Sequence, residues 1–239
     1  AYRRPIGDRD LRILMSFHEE GGEAGGFEAG IRTALQAILA SPHFIFRFEG
    51  PTGPTAPGQN YRIGGQDLAT RLSFFLWGAP PDPLLSTLAS RGELSDPEVL
   101  TSQVRRMLQD PRSEALGPRF AAQWLRLQDL DKVHPDSFWF PDFDQQLADI
   151  LRRETELFFN SLVKEDRSVL DLYTADYTFV NERLARHYGI AGVTGERFQR
   201  VTYPDDRRGG LLGHGSILTL TSHAGRTSPV LRGKWVMEV

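Results

Sequence analysis

Apolar residues along this chain recur mostly at intervals of three and four, the spacing of one face of an α-helix. Residues 8–19 put Leu11, Leu14, Met15 and His18 on one side, and Gly21-Gly22 is expected to end that helix. From residue 27 the positions Phe27, Ile31, Leu35, Ile38 and Leu39 continue the pattern as far as Ser41-Pro42. Residues 43–48 alternate and read as extended, and residues 50–60, rich in Gly, Pro and Thr, read as a linker. Helix resumes over residues 66–77 and again in a short segment ending at Arg91-Gly92. Ser95-Asp96-Pro97-Glu98 reads as a capping box for the helix after it. Residues 112–127 predict one amphipathic helix, and an aromatic loop, Phe138-Trp139-Phe140-Pro141-Asp142-Phe143, comes next. The longest helix is predicted over residues 144–163, burying Leu147, Ile150, Leu151, Leu157, Phe158 and Leu162. Asn181 fits a helix cap, and Gly189 fits the left-handed position at the end of that helix. Residues 198–203 have strand character, residues 211–220 are expected to be helical, and Ser228-Pro229 reads as an N-cap before a terminal helix. The predicted fold is mainly α, a bundle-like assembly of many helices with at most short β segments.

Composition narrows the chemistry. A net charge of −3 over 239 residues argues against a nucleic-acid partner, which needs a basic face. The absence of cysteine excludes disulfides, thiolate metal sites and covalent haem attachment within these residues. No apolar run is long enough to span a bilayer. The opening at Ala1-Tyr2 and the close at Val239, in the middle of a helical pattern, read as cuts through a longer polypeptide.

Candidate chemistry is concentrated after residue 207. His214 and His223 could ligate a metal or haem iron, although their spacing matches no metal motif, and packing beside glycines is the plainer account of His214. Arg226 precedes Thr227-Ser228-Pro229 at a helix start, a place suited to an anion or to a salt bridge. Glu154 falls three residues from both Leu151 and Leu157 and so points inward; a buried carboxylate either pairs with an arginine or becomes an acid–base group. No nucleophile elbow, phosphate loop or dinucleotide fingerprint is present.

Several segments together resemble the cytochrome-associated domains of unknown function of secreted planctomycete proteins. They are Tyr2-Arg3-Arg4-Pro5, Ala37-Ile38-Leu39-Ala40-Ser41-Pro42-His43-Phe44, Leu68-Ala69-Thr70-Arg71-Leu72-Ser73-Phe74-Phe75-Leu76-Trp77 and Glu154-Thr155. Asp176-Tyr177-Thr178-Phe179-Val180-Asn181, His187-Tyr188-Gly189, Arg208-Gly209-Gly210-Leu211-Leu212, Thr227-Ser228-Pro229-Val230 and Arg232-Gly233-Lys234-Trp235 complete the set. The resemblance divides the chain into a helical module (1–50), a linker (51–60), a central helical module (61–190) and the start of a haem-associated module (191–239). It implies a secreted or periplasmic, multidomain c-type cytochrome with haem c attached outside these residues. Such a protein would move electrons to a redox partner or support oxidation of an extracellular substrate. Its immediate partner would be the haem-bearing segment of the same polypeptide. On this reading His214 and His223 border the haem or ligate its iron, Arg226 or Arg232 compensates propionate charge, and Trp235 packs nearby. Two other classes stay open: a scaffold that binds polysaccharide or protein through Trp139, and a metal-dependent hydrolase built on His214, His223 and Glu154.

Overall fold

The computed structural model describes Tyr2 and residues 6–46, 49–50, 53–56 and 58–239. The expectations on Arg3-Arg4-Pro5, on Arg47 and Phe48, and on Pro51, Thr52 and Pro57 of the linker lie outside the described residues. The chain is mainly α and divides into two compact units, Ala1–Phe74 with Ala79–Arg105, and Phe75–Gly78 with Arg106–Val239.

In the first unit, α1 (Asp8–Ala40) does not stop at Gly21-Gly22 but folds back at Gly25 and Gly26, the latter at φ +78°. Gly21 serves close packing instead: a Cβ there would meet Ala29 O at 2.8 Å, and one on Gly30 would meet the His18 ring at 3.0 Å. The two halves of α1 therefore pack against each other near the kink. The segment expected to be extended opens instead as a helical turn, α2 (Pro42–Ile45), because Ser41 caps it by accepting from His43 N. Next along the chain come α3 (Gly65–Leu76), α4 (Pro83–Ser90) and α5 (Pro97–Gln109). The cap of α5 is Asp96, whose Oδ1 accepts from Glu98 N at 2.8 Å, in place of Ser95. The proline after Asp96 holds it extended, as a cap residue must be.

The second unit is built around α7 (Gln145–Lys164). Asp144 caps it through Leu147 N at 2.8 Å, and no Gly or Pro interrupts it. Phe158 and Leu162 pack with Leu125, Leu127, Ile217 and Trp235, while Leu147 and Leu151 pack with Val180 and Leu184. The single helix expected over 112–127 is instead a 3-10 turn (Pro111–Ala115), a π turn (Gly117–Ala121) and a short α6 (Ala122–Trp124). Pro118 lacks the amide that a regular helix needs, and Gly117 lies against α7, where a Cβ would meet Asn160 Nδ2 at 2.9 Å.

After α8 (Asp171–Thr174), β1 (Tyr177–Val180) pairs antiparallel with β2 (Gln199–Thr202), Tyr177 opposite Thr202. The strand character of residues 198–203 thus has its partner in β1, for which no strand was expected. Between the strands, α9 (Glu182–Tyr188) starts at Asn181, whose Oδ1 accepts from Leu184 N at 3.0 Å, and ends at Gly189 with φ +72°. Replacing the buried Asn181 by alanine is expected to lower stability by about 1 kcal/mol, read as a shift in urea midpoint, with Asn181→Asp restoring most of it.

The expected helix over 211–220 breaks at His214, which is extended (ψ 138°) between a 3-10 turn (Leu211–Gly213) and α10 (Gly215–Leu220). The hairpin β3 (Ser222–His223) and β4 (Arg226–Thr227) comes next, then α11 (Pro229–Glu238), capped by Ser228 as its sequence indicates.

Candidate functional site

The middle turn of α7 carries polar side chains into the core. Glu154 and Thr155 are both fully buried. Glu154 is held by two hydroxyls and no cation: Thr178 on β1 and Tyr188 on α9 each donate to a carboxylate oxygen at 2.6 Å. The partner expected for it, an arginine from another helix, is not found among the described residues; Arg208 only lies close enough to pull its carboxyl down by charge. Burial pushes the Glu154 carboxyl up to about 7, against the pull of the two hydroxyls. Tyr188 also accepts from Gly215 N at 2.7 Å, so one phenol joins the carboxylate to the start of α10. Burial and the neighbouring carboxylate drive the Tyr188 hydroxyl well above its ordinary value.

Thr155 lies 3.0 Å from His214 Nδ1 and 2.7 Å from Ser216 Oγ. The His214 ring meets Phe158 edge-on at 4.8 Å, and its buried Nε2 has no hydrogen-bond partner. Desolvation, then the charge of Arg208, holds this imidazole down at about 3, so it is neutral. Arg208 donates to Gly213 O at 2.6 Å and stands 4.0 Å over the Tyr188 ring.

On the outer side of Leu151 and Gly215 lies a recess of about 300 Å³. The aromatic loop forms one wall and the β3–β4 hairpin the other, joined where Asp136 N donates to Ala224 O at 2.8 Å. Gly225 of the hairpin lies beside the Trp139 indole, where a Cβ would make ordinary contact at 3.8 Å. His223 and Arg226, both exposed, line this recess with Trp139, Phe140, His187 and Arg208. Burial, and then Arg208, lower the His187 imidazole below its ordinary value.

The five residues singled out in the sequence therefore fall in different places. His223 and Arg226 share the recess. His214 sits in the core behind it, and Arg232 lines a separate cavity. Trp235 is a core residue whose indole donates to Leu125 O at 3.4 Å. His214, His223 and Glu154 do not assemble as a ligand set, and among the described residues no group of three or more His, Asp or Glu side chains could hold a metal ion. Thr155, Tyr188 and Arg208 belong to the site although only their neighbours drew attention as chemistry. A threonine adjacent to an inward-pointing glutamate was the available signal.

Family models match the chain in three consecutive segments. PSD5, "Protein of unknown function (DUF1595)", covers residues 1–49; PSD4, "Protein of unknown function (DUF1592)", covers residues 63–190; and PSCyt3, "Protein of unknown function (DUF1588)", covers residues 208–239. No curated protein and no solved structure matches it. The recess and the buried layer both join residues of the second matched segment to residues of the third.

Proposed function

Starting from a chain that belongs to the DUF1592 family of proteins of unknown function, flanked by modules of two companion families associated with planctomycete cytochrome c-type proteins, we propose that its second unit receives a haem-bearing segment of the same polypeptide. The protein would be exported and would pass electrons to a redox partner or support oxidation of an extracellular substrate. No helix among the described residues is long and apolar enough to cross a membrane.

The supporting observation is the convergence of two imidazoles, two guanidinium groups and an aromatic wall on one recess. Those side chains fit a flat, anionic macrocycle: Trp139 and Phe140 offer ring faces, Arg226 offers a cation for a carboxylate, and His223 offers an accessible nitrogen. When bound, haem would supply one-electron redox chemistry. His214 fits the wall and not the iron, because its ring is fully buried and tied to Thr155. The neutral state of that ring keeps an uncompensated charge out of the core.

In the full-length, haem-loaded polypeptide, His223→Ala should alter the visible spectrum or the reduction potential. His214→Ala should leave the spectrum unchanged and lower only the melting temperature. Unaltered spectrum and potential in His223→Ala would remove the haem-facing role. A second reading rests on Trp139, which is 65% exposed beside the exposed rings of Phe138 and Phe140, an aromatic platform that also suits a polysaccharide. Loss of polysaccharide retention in Trp139→Ala, with the haem spectrum intact, would favour it.

A further inference from the structure

A second cavity in the same unit, about 440 Å³, carries more positive charge than its own side chains neutralise. Arg207, Arg208 and Arg232 line it, against the single carboxylate of Asp205. Asp205 is taken by Arg207, whose Nε donates to it at 2.8 Å. Arg208 gives one amino group to Gly213 O and has no carboxylate in contact among the described residues. Glu154 lies close enough to feel its charge, but both Glu154 oxygens are engaged by Thr178 and Tyr188. Arg232 likewise forms no ion pair among the described residues, and its buried Nε has no partner. Tyr203, 7% exposed, belongs to the same wall. Partly desolvated guanidinium groups without a carboxylate partner are costly, and an oxyanion relieves that cost with short charge-assisted bonds.

The size and lining of the cavity decide which oxyanion. A space of about 440 Å³ is in the range of small-molecule sites and larger than an inorganic ion needs. Ile190, Leu212 and Leu218 give it carbon surface. We propose that this cavity binds a small organic dicarboxylate, one carboxylate held by Arg208 and the other by Arg232, with its carbon chain against Ile190 and Leu212. The cavity shares Arg208 and Leu218 with the recess that faces the haem-bearing segment, whereas Arg232, Tyr203 and Ile190 line the cavity alone.

Calorimetric titration of the 239-residue chain with succinate should give a saturable heat, and succinamide, of the same shape without charge, should give none. Arg232→Gln should weaken succinate binding by about tenfold or more, the loss of one charge-assisted contact. Arg232→Lys, which keeps the charge but not the planar fork, should weaken it less, and it also decides the matter if the glutamine variant does not fold. Arg186→Gln, whose guanidinium pairs with Glu182 elsewhere, should bind as the parent does. No heat with succinate, or parental affinity in both Arg232 variants, overturns the proposal. So does tighter binding of inorganic phosphate than of succinate.

Discussion

Glu154→Gln should make the protein lose stability on acidification from pH 6.5 to pH 4.5, whereas a neutral replacement of His214 should make it lose stability in the opposite direction over the same window. The folded Glu154 carboxyl holds its proton to about 7 against 4.5 for the free group. Its contribution is complete below pH 4.5 and fades as pH rises through about 7, because the unfolded chain releases a proton that the fold retains. The folded His214 imidazole refuses a proton down to about 3 against 6.5 for the free group. Its contribution is complete above pH 6.5 and fades as pH falls toward about 3. Between 4.5 and 6.5 the two slopes oppose each other, so the parent protein should be nearly flat there. Each slope is about 1.4 kcal/mol per pH unit, so either substitution uncovers about 3 kcal/mol across the window. Glutamine suits the first site because its carbonyl can accept from Tyr188 while its amide donates to Thr178. His214→Gln can still bond Thr155. Urea midpoints measured across the window would check this; parallel, flat profiles in both variants would show that neither group titrates as its surroundings dictate.

Local signals in the sequence carried the elements whose ends are made by one or two side chains. Asn181, Gly189 and Ser228 each act where their chemistry places them. The same signal was present at Ser41-Pro42 and was outweighed by the alternation of the residues after it, though the cap proves decisive there. What the sequence could not convey was partnership across distance. Residues 177–180 become a strand only because residues 199–202 lie beside them, and Gly117 and Gly21 are small because another helix passes close, not because the chain turns. Glu154 was legible as inward-facing from its spacing in α7. Its partners were not, since a hydroxyl on a strand and another at a helix end satisfy a carboxylate as an arginine would. The recess has the same origin: the aromatic loop and the His223 hairpin are more than 80 positions apart in sequence and meet only in the fold.

Gly210→Ala is the substitution expected to cost most, about 4 kcal/mol, while Gly209→Ala beside it should cost under about 1 kcal/mol. Gly210 adopts φ +48° and ψ −161°, a backbone state that residues with a Cβ rarely occupy. A methyl there would also strike the backbone of α8, meeting the carbonyl of Leu172 and Tyr173 C at 2.6 Å. These obstacles are backbone atoms within hydrogen-bonded structure, so no side chain can swing aside. The strained dihedrals contribute about 1–3 kcal/mol and the overlap a similar amount. Gly209, in contrast, has no backbone atom nearer than 3.7 Å to a built Cβ, which is ordinary contact. The tight passage at Gly210 governs the geometry of the site. Its amide donates to Ala175 O at 2.9 Å, which fixes the turn whose Gly213 carbonyl receives Arg208 and whose end delivers His214 to Thr155. Relief of the overlap would require that turn to lift from α8, so Gly210→Ala should also disturb the near-ultraviolet signal of Tyr188 beneath Arg208. Equal, small losses in the two alanine variants would mean that the turn is compliant, and that the positions of Arg208 and His214 are set by something other than the path of the chain.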